Sequence, residues 1–156
     1  MEAVLLCGIQ GAGKTAFYVD RFLDSHARVS LDLLRTRHRE ARFLEVCLET
    51  HMRLVVDNTN VTRAERARYV RPALEHGYRA VAYWVDVAPR VAIARNAERP
   101  PRRRVPVAGI LGTRKRLELP AAGEGFEELW HVVAGDGAFT VTPLERPEAP
   151  LLASGG

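Results

Sequence analysis

The sequence predicts an α/β fold built on a parallel sheet of about five strands flanked by helices. Three observations carry that expectation. Short apolar runs with strand character recur at 3–7, 28–30, 53–56, 81–85 and 130–133. Segments with apolar residues at three- and four-residue spacing lie between them, as βα units require. A glycine-rich turn stands directly after the first run, where open α/β sheets place their ligand-binding loops. At 156 residues the chain is long enough for one domain with a sizeable core.

Ala3-Val4-Leu5-Leu6-Cys7 is apolar throughout, as a parallel strand covered on both faces must be. Gly8-Ile9-Gln10-Gly11-Ala12-Gly13-Lys14-Thr15 then fits G-x-x-x-x-G-K-[ST] at each required position. An amphipathic helix is expected from Lys14 to about Ser25, offering Phe17, Phe22 and Leu23 to the core. Arg28-Val29-Ser30 reads as a second strand leading into Asp32. One long helix is expected over 33–51, with Leu34, Phe43, Leu44, Cys47 and Leu48 as its apolar positions. The third strand, 53–56, ends at Asp57. Thr62, with Glu65 three residues on, forms a capping box for the next helix, which Pro72 should bend and Gly77 should end. Strand 81–85 precedes a helix with Pro89 in its first turn, running to about Ala97. Arg99-Pro100-Pro101-Arg102-Arg103-Arg104-Val105-Pro106 cannot be regular structure. A helix over 107–117 and a strand near 130–133 complete a domain expected at 1–145, with a flexible tail over 146–156.

Composition sets bounds. The net charge is +4, and Lys14 and Lys115 are the only lysines, so arginine carries the basicity. Arginine suits planar contacts to phosphate and permits a nucleotide or nucleic-acid partner without requiring one. Cys7 and Cys47 lack metal-ligand spacing and read as reduced core residues. The first apolar run is too short for a secretory leader, and no stretch approaches a membrane span, so a cytoplasmic protein without membrane contact is expected.

The chemistry concentrates at three strand ends. In the first, backbone N–H groups of Gly8, Gly11, Ala12 and Gly13 can close around phosphate oxygens at a helix N-terminus. Lys14 reaches the β/γ-phosphates and the Thr15 hydroxyl binds magnesium. A nucleoside triphosphate, ATP or another, with Mg²⁺ is therefore the expected ligand of a P-loop NTPase-like domain. At the second, Asp32 and Arg35 share a helix face. They serve either as a general base with a phosphate-gripping arginine, or as a helix cap with a surface ion pair. At the third, Asp57 is either a magnesium-side carboxylate or the start of an Asx turn in Asp57-Asn58-Thr59-Asn60. Arg95, Arg99 and Arg102 to Arg104 flank the proline-rich loop, as a lid closing on phosphates would; Arg102 to Arg104 fit a solvated loop better.

Taken together, the chain resembles the kinase domain of the polynucleotide 5′-hydroxyl kinase family. The shared pattern is the P-loop, Asp32-x-x-Arg35, Val55-Val56-Asp57-Asn58-Thr59-Asn60, the segment from Arg63 to Val70, Ala94-Arg95-Asn96-Ala97-Glu98-Arg99, and Val105-Pro106. The resemblance implies transfer of a phosphoryl group from ATP, with magnesium, to the 5′-OH end of DNA or RNA. It implies Asp32 as general base, Arg35 as clamp on the acceptor phosphate held by Asp57, and Arg99 with Arg95 as lid arginines on the donor. The stiff, basic Pro100-Pro101-Arg102-Arg103-Arg104 departs from the family pattern, and the D-x-D-x-T phosphatase signature and a ligase lysine motif are missing. Two rivals remain: a kinase of a nucleoside, sugar or antibiotic, and a nucleotide-dependent switch that transfers nothing. The sequence has no N-K-x-D guanine-reading motif, which counts against a GTPase switch.

Overall fold

In the computed structural model, which describes residues 1–144, strands and helices alternate from the start. They are β1 (Glu2–Cys7), α1 (Lys14–Arg21), β2 (Ala27–Val29), α2 (Leu31–Leu34), α3 (Arg37–Glu49) and β3 (Leu54–Asp57). Then follow α4 (Arg63–Glu75), β4 (Arg79–Asp86), α5 (Pro89–Glu98), α6 (Val107–Arg116), β5 (Phe126–Ala134) and β6 (Phe139–Pro143). One sheet holds all six strands in the order β2-β3-β1-β4-β5-β6. The first five are parallel and β6 runs antiparallel to β5. Among the described residues no helix is long and apolar enough to cross a membrane. The tail expected over 146–156 lies outside the described residues.

The sheet is covered on both faces, which is why β1 and β3 are apolar without alternation. One face packs Ala3, Leu5, Val56 and Ala82 against Leu44, Cys47 and Leu48 of α3 and Tyr69, Val70 and Ala73 of α4. The other packs Val4, Leu6, Val55, Val81 and Val85 against Phe17 of α1, Ala92 of α5 and Ile110 of α6. Cys7 and Cys47 are free and buried. β1, whose connection leaves toward β2, and β4, whose connection leaves toward β5, are neighbours. That crevice is the switch point where open α/β sheets bind ligands.

Four expectations are corrected. The helix expected to about Ser25 stops at Arg21, and Leu23, offered to the core, is exposed. The helix expected over 33–51 is two helices, because Arg35 adopts φ 76° and closes α2 with its N–H on the Leu31 carbonyl. Thr36 then restarts the chain as the N-cap of α3, its hydroxyl accepting from the Arg39 N–H at 3.1 Å. The sheet has a sixth strand: Phe139-Thr140-Val141-Thr142 alternates, with Phe139 and Val141 packed on the core and the threonines exposed. The lid sequence is not wholly irregular either, since Pro101–Arg103 forms a 3₁₀ turn. The capping box of Thr62 and Glu65 is formed, and α4 runs on through Pro72 to end before Gly77 at φ 79°.

Candidate active site

Gly11 shows why the loop after β1 needs glycine. It sits at φ 80°, and a Cβ there would stand 2.6 Å from the Ala92 carbonyl oxygen of α5. Gly13, at φ 99°, is the left-handed N-cap from which α1 departs. Two of the four N–H groups expected to meet phosphate are engaged within the protein instead: that of Gly8 donates to the Thr59 carbonyl at 2.9 Å, fixing the loop against the turn after β3, and that of Ala12 donates to the Ile9 carbonyl at 3.2 Å. Gln10 reaches across to α6, its Nε2 donating to Thr113 Oγ1 at 3.1 Å. Its Oε1 is buried with no partner among the described residues, an acceptor at the cleft wall.

Lys14 folds over this loop. Its ammonium donates to the Gly8 and Ile9 carbonyls at 2.8 and 2.9 Å. Burial pulls the Lys14 pKa down to about 8; the charge of Arg99 adds to that, while Asp57 and Asp32 oppose it. The same three side chains are those the sequence placed near the transferred phosphate. Thr15 Oγ1 donates to Asp57 Oδ2 at 2.9 Å, so the expected metal-side hydroxyl and carboxylate meet. Two hard oxygen donors suit magnesium, which keeps waters and substrate oxygens for its other positions.

Asp57 makes no Asx turn. Its carboxylate is 2% exposed and takes Arg28 Nη2 at 2.8 Å and Nε at 2.9 Å, besides Thr15. The arginine on Asp57 is therefore Arg28 of β2 and not Arg35, because the turn at Arg35 carries that side chain outward. Arg35 is exposed and does not line the cleft. Asp32 does line it, without a hydrogen-bond partner among the described residues.

One cleft of about 530 Å³ gathers these groups. From the central loop come Lys14 and Thr15; Asp32, Asp57 and Asn58 come from the β2 and β3 ends; Arg95, Arg99 and Arg103 come from the lid. Arg95 lies on the loop, its Nη1 donating to the Gly11 and Ala12 carbonyls at 3.3 Å each. Arg104 donates to the Arg99 carbonyl at 2.7 Å, bracing the lid turn, while Arg102 is exposed and stays out of the cleft.

Besides Arg28, Asn96 and Glu40 have roles here that the sequence did not assign. Asn96, nearly fully buried, pins the base of the lid: its Nδ2 donates to the Val105 carbonyl at 2.6 Å and its Oδ1 accepts the Val105 N–H at 2.9 Å. Glu40 is 2% exposed and accepts from Tyr69 OH at 2.8 Å, Arg37 Nη1 at 2.9 Å and Asn58 Nδ2 at 2.9 Å. Burial, with Glu40 beside it, raises the Tyr69 phenol above its ordinary range. A polar pair inside two amphipathic helices gave no sequence signal beyond the Asn58 of the strand-end motif.

The fold is shared with solved structures, two of them kinases. A gluconokinase from Sinorhizobium meliloti 1021 superposes with TM-score 0.58 at 16% identity, over 86% of this chain and 83% of that one. Kti12 of Chaetomium thermophilum, in complex with ADP-AlF3, gives 0.63 at 14% over 84% and 88%. A sugar kinase from Janibacter sp. HTCC2649 gives 0.62 at 14% over 86% and 84%. At these identities the likeness is one of fold. The model of a family described as "AAA domain" matches residues 24–120, more than half of the chain. The protein belongs to this AAA-domain family, with a P-loop kinase fold built around a nucleotide-binding loop.

Proposed function

We propose that the protein is an ATP-dependent kinase that transfers the γ-phosphoryl group to the 5′-hydroxyl of a polynucleotide, DNA or RNA. The observation that carries the reading is the convergence of Lys14, Thr15, Asp32, Asp57, Arg95 and Arg99 on one cleft. Asp32 on the cleft wall, with the motifs Asp57-Asn58-Thr59-Asn60 and Arg95-x-x-x-Arg99, supports the polynucleotide acceptor.

Phosphoryl transfer asks the protein mainly for alignment and charge neutralisation. The acceptor hydroxyl oxygen bonds to the γ-phosphorus as the bond from phosphorus to the β–γ bridging oxygen breaks. The hydroxyl proton passes to the Asp32 carboxylate. Lys14 and the arginines of the lid offset the charge that moves toward the β-phosphate. Thr15, with Asp57 beside it, would hold magnesium, which would supply further neutralisation of the phosphate charge.

Labelled ATP offered with 5′-OH oligonucleotides, nucleosides and sugars tests the proposal. Label on the oligonucleotide 5′ end supports it; label only on a sugar or nucleoside, or only in free phosphate, overturns it. Asp32→Asn should lower kcat by about 10² to 10⁴-fold, the span for losing a general base. ATP affinity should hold. An equal loss of both would move Asp32 from acceptor chemistry to metal binding.

A further inference from the structure

The cleft has two walls. The chain after β4 supplies one, carrying Arg95, Arg99 and Arg103 on the donor side. The ends of β2 and β3, on the other side of β1, supply the opposite wall through α2, α3 and α4. Asp32 lies on this second wall, and so do Arg37 and Arg68. Arg37 Nη1 is bonded to Glu40 Oε1 at 2.9 Å and to Tyr69 OH at 3.0 Å. The Arg37 side chain is nonetheless 53% exposed, so much of its guanidinium remains free to meet a ligand. Arg68 is next to Tyr69 on α4 and has no hydrogen-bond partner among the described residues.

The geometry points to an anion site on the acceptor wall, formed by Arg37 and Arg68, that holds a phosphate of the acceptor beside the reacting hydroxyl. The site deepens the kinase reading and rests on it. Glu40 acts as a positioning residue. Its buried carboxylate fixes one edge of the Arg37 guanidinium, and Tyr69 and Asn58 hold that carboxylate from two further directions. Arg35, turned outward at φ 76°, leaves this wall to the other two arginines. A planar fork held on one edge loses little freedom on gripping a phosphate with the other. The phosphate is either a monoester at the 3′ position of a single nucleotide or the first diester of a chain, and the two share the same oxygens.

Calorimetric titration of the full chain, with saturating ADP and magnesium on the P-loop, tests the site. The probes are a nucleoside 3′-monophosphate, a 3′,5′-dinucleoside monophosphate and the bare nucleoside. Both phosphate probes should bind more tightly than the nucleoside. Arg37→Ala and Arg68→Ala should each weaken them by roughly 10- to 150-fold, the worth of a charged hydrogen bond. Bare nucleoside binding should not change. A diester probe that outbinds the monoester assigns the chain as the source, and the reverse order assigns the single nucleotide. Glu40→Gln, nearly the same size, should weaken phosphate probes and spare the nucleoside, a selectivity that a general loss of fold would not give. Arg39→Ala, an exposed arginine of α3, should bind as the unsubstituted protein does. Phosphate probes that bind no better than the nucleoside, or a loss carried by Arg35→Ala with Arg37→Ala and Arg68→Ala intact, overturns the site. Arg37-dependent phosphate binding without labelling of any 5′-OH oligonucleotide keeps the site and overturns the polynucleotide reading.

Discussion

Lys14 concentrates the tension in this site. Its ammonium is held over the P-loop by two carbonyls, yet burial lowers its pKa to about 8. A lysine whose folded pKa lies below its unfolded value of about 10.4 makes the unfolded state bind more protons between those two pH values. Its contribution to stability therefore rises with pH from about 8 to about 10.4, and below 8 it is a constant penalty on the ligand-free fold. Lys14→Met should remove that penalty. The expected outcome is a higher melting temperature for the free protein near pH 7, the gain shrinking above pH 8. The variant should also lose the thermal shift given by ATP with magnesium and lose transfer. An unchanged nucleotide shift in Lys14→Met would contradict the placement of Lys14 on the donor phosphates. The P-loop was legible because each of its positions has one physical reason. Arg28 was not, since a strand arginine paired with a carboxylate 29 residues away leaves no local trace.

At the scale of elements, the lid is a helix end tied back on itself. α5 ends at Glu98, the 3₁₀ turn follows, and Asn96 closes the segment with two hydrogen bonds to Val105. The residues in between carry Arg99 and Arg103 to the cleft, so their placement depends on that amide. Asn96→Ala leaves the Val105 N–H and carbonyl unpaired, at a cost of about 1–3 kcal/mol for each group kept from water. Hydrogen exchange should quicken across 97–105 with β1 and β3 unaffected. Turnover should fall more than ATP affinity, because the arginines matter most when charge redistributes. Exchange that quickens over the whole chain would make Asn96 a support of the fold instead. The prolines are enough to show that the helix stops here; the closing Asn96–Val105 pair shows only in three dimensions. The break between α2 and α3 was hidden for a related reason. Thr36 is an ordinary cap residue inside a stretch of otherwise continuous helical spacing, and only the positive φ of Arg35 gives it a helix to start.

The whole molecule is held across its sheet by a second buried ion pair that no periodicity announces. Arg66 of α4 is fully buried, with Nε on Glu124 Oε1 at 2.7 Å and Nη2 on Oε2 at 3.0 Å. Its Nη1 donates to the Asn60 and Glu118 carbonyls, at 2.9 and 2.8 Å. One guanidinium thereby joins the turn after β3, the chain leaving α6 and the approach to β5. The alternation of strands and helices was readable because burial on two faces makes apolar runs; which distant segments a buried arginine joins is decided by packing alone. β6 was missed because its alternation is short and its turn polar. Removing one member of a buried pair leaves an uncompensated charge, which costs about 3–5 kcal/mol, whereas exposed pairs such as Arg42 with Glu45 contribute at most about 1. Glu124→Ala should accordingly lower the unfolding free energy by about 3–5 kcal/mol, and Glu45→Ala by a small fraction of that, both by denaturant titration. The double variant Arg66→Met with Glu124→Leu should recover much of the loss, because apolar side chains of similar volume carry no desolvation penalty. If the double variant is as unstable as the sum of its single changes, the bonds from Arg66 to the two carbonyls, and not the ion pair, are what join the three segments.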